Sequence, residues 1–308
     1  METKVYCPDI VCESCIKAVR KCLDGVSGVT SFSVHPDHVI IQHDGHKVTA
    51  DMLVGEIQKR GYRADLVPFS RKTAKERLRD FAENRHSYDV EYRMLAYSLV
   101  ILALLCAAEF LAYIFFFQNQ ALFNRYAIWA CYANISVVSI GAAMWHLQSY
   151  RGIITTMVGM MIGMTFGMQS GLMIGTIIGA TNGVFVGSMA GMAAGVFVGF
   201  YNGKLTGIMG VLEGMMAGIM SGIMGAMIGV MLFADHILWF MPFFIMLNII
   251  VMWGLSYMLY EEVVEDNPST VRQPARFSSF LLFSIIAASL LISIMAFAPK
   301  SGLARVVG

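Results

Sequence analysis

Residues 159–183 read GMMIGMTFGMQSGLMIGTIIGATNG, and their reading decides what kind of molecule this is. Glycine returns at every fourth position from Gly159 to Gly207, thirteen times without a break. It resumes at Gly210, Gly214, Gly218 and Gly222, then at Gly225 and Gly229, and the residues between are mostly apolar. On a helix of about 3.6 residues per turn, a period of four advances the stripe by about 40° per step, so it winds slowly around the helix. Small-xxx-small stripes let helix backbones touch inside a bilayer. Two turn-forming pairs, Asn182-Gly183 and Asn202-Gly203, interrupt the run. The spacing predicts three glycine helices, over 153–181, 184–201 and 205–233.

The composition agrees with a lipid solvent. Of 308 residues, 57% are hydrophobic and 14% are charged, with a net charge of +1. Soluble chains carry about 25% charged residues, so a large soluble enzyme is excluded, and near-neutral charge gives no pull toward nucleic acid. Apolar segments at 94–117, 126–148, 236–260 and 277–298 each reach the ~20 residues of a bilayer crossing. The expectation is an all-α polytopic membrane domain over 94–298, with about seven transmembrane helices and glycine-zipper packing.

Residues 68–93 form a charged linker containing RKTAKERLRD, and its basic residues set the N-terminus on the cytosolic side of the inner membrane. Seven spans put Arg151, Lys204, Arg272 and Arg276 inside, but Arg125 and the tail's Lys300 and Arg305 outside. A six-span version with a re-entrant middle glycine helix would return the tail, 299–308, to the cytosol.

Residues 1–67 read differently, as an α+β domain. KVYC is a strand, Ser14 to Leu23 has helical spacing, and TSFSV and HVIIQH are alternating strands joined by a Pro-Asp turn. DMLVGEIQKRG is a second helix and YRADL a last strand, which gives βαββαβ, the ferredoxin-like order. The opening METKVYCPDI has no basic region followed by an apolar core, so no signal peptide is expected. Four of six cysteines fall in the first 22 residues, and in a reducing cytosol such clusters bind metal more often than they form disulfides.

Cys12 is expected on the loop after the first strand, and Cys15 in the first turn of the helix. A helix N-terminus favours thiolate, and two soft sulfurs at this spacing suit Cu(I). Glu13 between them extends the choice from Cu(I) and Ag(I) to Zn(II), Cd(II) or Hg(II). Lys17, Arg20 and Lys21 follow on the helix, either as a solvated face or as a docking face for an acidic cytosolic metallochaperone. The motif Cys12-Glu13-Ser14-Cys15, with Gly28-Val29-x-x-Phe32-x-Val34 and Gly61-Tyr62-x-Ala64, resembles the heavy-metal-associated domain of copper metallochaperones and metal-pumping ATPases. The resemblance implies a ferredoxin-like head whose Cys12 and Cys15 exchange a metal ion.

Methionine keeps phase with glycine in the membrane block. Met160, Met164 and Met168 each follow a glycine by one residue, and Met216, Met220 and Met224 each follow one by two. Each row is expected beside its glycine stripe, with thioethers drawn toward the helix contacts. Thioethers are soft, neutral ligands that select Cu(I) and Ag(I), though methionine is also flexible apolar filler. The MxxxM and GxxxG combination is locally similar to Ctr-type copper transporters; span number and chain layout differ. Buried polar groups are further candidates: Glu109 with Cys106 on one face, Glu213, Asn134, Asn248 and the Asp235-His236 pair.

No GxxxxGK[ST] loop, Asp-Lys-Thr-Gly motif or nucleophile–base set is present, so no enzyme and no catalytic residue is expected. The expectation is a membrane permease for a soft ion, most simply Cu(I), with a cytosolic CxxC head and no ATP drive. Two alternatives stay open: a membrane-tethered metallochaperone or sensor without transport, and a homo-oligomeric glycine-zipper channel regulated by metal.

Overall fold

The computed structural model describes residues 1–10, 13–59, 62–69, 79, 89–112, 114, 121–151, 154, 156–264, 271–273 and 276–301. The chain divides into two compact units: Met1–Tyr88 with Tyr150–Thr155 and Glu261–Val271, and the remainder.

The first unit contains β1 (Glu2–Tyr6), α1 (Glu13–Leu23), β2 (Val29–His35), β3 (His38–His43) and α2 (Ala50–Gln58). β3 lies between β1 and β2 and is antiparallel to both, so β1 and β2 run parallel. The strand expected at YRADL is reduced to a single antiparallel bridge, Tyr6 with Asp65. This is a three-stranded sheet with helices, only loosely ferredoxin-like. Val39 and Ile41 alternate inward on β3, and Val19 and Leu23 recur one turn apart on α1. With Val5, Leu53 and Ile57 they close a side-chain core.

The second unit is helical, and seven described helices are long and apolar enough to cross a membrane. They are α3 (Asp89–Ala112), α4 (Ala121–Ser149), α5 (Thr156–Asn182), α6 (Val184–Gly203), α7 (Ile208–Met231), α8 (Ile237–Leu259) and α9 (Phe277–Phe297). This is the build of a multi-pass membrane protein. The middle glycine helix, α6, is 20 residues long, as a full span requires. α3 begins inside the expected linker, at Asp89, because helical backbone continues past the apolar boundary; most of residues 68–88 and 302–308 lies outside the described set.

α5, α6 and α7 pack on one another more closely than any other helices. Their glycines stack in layers: Gly163 with Gly203 and Gly210, Gly167 with Gly199 and Gly214, and Gly171 with Gly195 and Gly218. Gly175, Gly191 and Gly222 form the fourth layer, and Gly179, Gly187 and Ala226 the fifth. α5 and α7 run in one direction and α6 in the other, so the numbers rise on two helices and fall on the third. A methyl on Gly195 would lie 2.7 Å from the Gly218 Cα, and one on Gly191 would lie 2.8 Å from the Gly175 Cα. Backbone therefore fills the axis of this three-helix core, and within a layer no lumen is left. Gly225 and Gly229 drop out of phase because they meet another face of α5, at Leu172 and Thr176.

One expected turn moves. α6 continues through Asn202-Gly203 because Gly203 is needed in the first layer, and the reversal falls at Gly207, whose φ of 92° suits glycine. The other Asn-Gly pair turns as expected, with Gly183 at φ 105°. The buried Asn182 side chain also donates to the carbonyl oxygens of Ile294 (3.3 Å) and Ala298 (3.2 Å), which capture the open end of α9. Outside the glycine core, α4 packs against α3, α5, α8 and α9. There a Phe280 ring fills the gap over Gly141 and stacks on Trp145 at 5.5 Å.

Candidate metal site

Cys15 is the third residue of α1, as the spacing predicts, and its side chain is only 2% exposed. Cys12, its expected partner, lies outside the described residues. A third thiol, Cys7, ends the segment after β1 and is fully buried near Cys15. Burial, and then the negative charge of Asp9, push the Cys7 thiol up to about 12, which favours its protonated form.

Asp9, two positions further on, fixes this loop. Its carboxylate accepts from the backbone N–H of Arg63 at 2.8 Å, from Nε at 3.0 Å and from Nη2 at 2.6 Å. Both side chains are largely buried; Nε and Nη2 converge on Oδ1 while the backbone N–H takes Oδ2, so both carboxylate oxygens are held. The same guanidinium reaches the Glu261 backbone oxygen and the Glu262 carboxylate, each at 3.1 Å and within the same unit. The segment that follows β1 is thus tied to the chain that follows α2. Sequence reasoning missed this because the partners are 54 positions apart and no local pattern links them.

The methionine rows sit elsewhere than expected. On α7, Met216 (60% exposed), Met220 (62%) and Met224 (55%) face away from the glycine core, as do Met227 and Met231. The reason is geometric: a residue two positions after a glycine is turned by about 200°, to the far side of the helix. On α5, one position gives about 100°, so Met164 is exposed while Met160 and Met168 are half-buried. The α7 row therefore does not line the helix contacts, and for that row the expectation is corrected. Met173 is the fully buried methionine of α5 and packs as core.

Among the described residues, no group of three His, Cys, Asp or Glu side chains is spaced to hold a metal ion. The chain matches no family model, no curated protein and no solved structure. The buried polar groups of the spans are the remaining candidates. Asn248 donates to the Phe244 carbonyl oxygen at 2.7 Å, which makes it a helix-internal bond. Glu213 is half-buried on α7, and His236 precedes α8 in a left-handed conformation. Glu109 and Asn134 meet each other at 2.7 Å, and Cys106 lies beside them.

Proposed function

We propose that the protein is a multi-pass membrane permease for a soft metal ion, with Cu(I) the first candidate and Ag(I) close to it. Cys12 and Cys15 exchange the ion with cytosolic carriers, as the head's resemblance to the heavy-metal-associated domain implies. The observation that carries the reading is the row Met216, Met220, Met224, Met227 and Met231, exposed on one side of α7 in a chain that also bears a CxxC head. Neutral thioethers spaced about a turn apart hold a soft ion weakly enough to release it. Because the row faces outward, a route along it needs a covering surface, and a second copy of the chain supplies one most simply.

A second reading is favoured by the glycine core. Backbone fills the axis of α5, α6 and α7, and this supports a membrane-tethered metallochaperone or sensor that binds the ion without moving it. The same packing counts against a channel along that axis.

Metal flux into proteoliposomes separates these readings. For a permease, the wild type moves Cu(I), and the triple change of Met216, Met220 and Met224 to Leu lowers flux about tenfold without unfolding, because Met-to-Leu conserves volume. Binding that Cys12→Ser abolishes, with no flux under any gradient, would establish the tethered chaperone. Flux unchanged by the leucines would remove the methionine row from the mechanism.

A further inference from the structure

A second sulfur site lies between α3 and α4. Cys106 and Glu109 are three residues apart on α3, and Cys131 and Asn134 are three apart on α4, so each pair shares a helix face. The faces meet. Asn134 Nδ2 donates to Glu109 Oε1 at 2.7 Å, and the Cys106 thiol lies close enough to Cys131, Glu109 and Asn134 to interact with all three. Neither thiol is in a disulfide. Asn134 is fully buried, yet among the described residues its Oδ1 has no hydrogen-bond partner. A cluster that served only to join two helices would gain by satisfying that atom, since a buried unpaired acceptor is costly. Cys131 is exposed and Cys106 half-buried, which leaves the pair open on one side.

We propose that Cys106 and Cys131 are the ligands of an intramembrane site for one monovalent soft ion, Cu(I) or Ag(I). Two thiolates suffice for such a d10 ion in linear coordination, whereas Zn(II) asks for four ligands that this cluster does not offer. The ion replaces both thiol protons. Both protons are released, so two thiols and one Cu(I) or Ag(I) become an anionic metal dithiolate and two protons. The choice of a soft ion rests on the permease reading above; the site itself rests on the paired thiols and the unpartnered amide oxygen.

The test uses the full-length protein, with anaerobic Cu(I) as the probe in competition with a chromogenic chelator. In the Cys12→Ser/Cys15→Ser variant about one ion remains bound, and adding Cys131→Ser removes it. A variant without head thiols that keeps no ion, or keeps one regardless of Cys131, overturns the site. The head reading is judged separately, by whether Cys106→Ser/Cys131→Ser keeps its own ion. A measurement free of substitutions is Ag(I) protection of the wild-type thiols: alkylation of Cys106 and Cys131, followed by mass spectrometry, slows about tenfold. Unprotected alkylation, or recovery of the two as a disulfide before metal is added, overturns the proposal.

Discussion

In the head, Val39, Ile41, Leu53 and Ile57 fill the space between a sheet and two helices with side chains. In the membrane core, Gly175, Gly191 and Gly222 fill it with backbone. The difference follows from the solvent. In water, removing apolar surface is itself favourable, so a core is built from large side chains. In lipid that term vanishes between helices, and what remains is dispersion at close range, which grows as backbones approach. The two regions therefore respond oppositely to added volume.

The largest effect separates the regions most sharply. Gly218→Leu places a side chain where even a methyl would meet the Gly195 carbonyl oxygen at 2.6 Å, and backbone on both sides has nowhere to move. The expected cost exceeds ~3 kcal/mol, seen as loss of monodisperse protein after extraction. Gly254→Leu, on the exposed side of α8 with nothing within 4 Å of its added Cβ, leaves the elution profile unchanged. Equal behaviour of the two variants would break the argument that close backbone contact, and not glycine content, holds these helices.

Alkaline pH strikes the other region. The Cys7 thiol, raised from 9.0 to about 12 by burial and by Asp9, favours its neutral form in the folded head. Its contribution is fully present below pH ~9 and is lost as pH rises through ~12, up to ~4 kcal/mol in all. Hydrogen exchange should show β1 and β3 opening across this range while α5, α6 and α7 stay protected. In Cys7→Ala the alkaline limb disappears. An unchanged limb would mean that the head opens for another reason.

The glycine helices were legible because a strict four-residue repeat has one physical use in lipid, and seven helices follow from apolar length alone. The methionine rows depart from expectation for a reason equally local: Met216, Met220 and Met224 lie two positions after a glycine, and residues two apart on a helix point to opposite sides. Gly203 shows a different limit, since a turn dipeptide and a packing glycine look alike until the facing Gly210 is known. In the head, β1, β2 and β3 were readable from alternation. The Asp9–Arg63 clamp and the pairing of Cys106 with Cys131 join distant positions, and no single-sequence pattern announces them.

The smallest effect tests whether the contrast holds within one residue type. Gly55 lies inside α2 of the head, with nothing within 4 Å of a Cβ added there. It occupies an ordinary helical position and gives the unfolded chain freedom that folding must remove. Gly55→Ala is therefore expected to stabilise the head by ~0.5–1 kcal/mol, read as a later opening of the head's amides in hydrogen exchange under denaturant. The same change at Gly191 has the opposite sign, because its methyl would lie 2.8 Å from one neighbouring Cα and 2.9 Å from another. One substitution, glycine to alanine, thus raises stability where side chains make the core and lowers it where backbone does. If Gly55→Ala were destabilising, a constraint on α2 other than packing would have to exist, and the comparison would have to be redrawn around it.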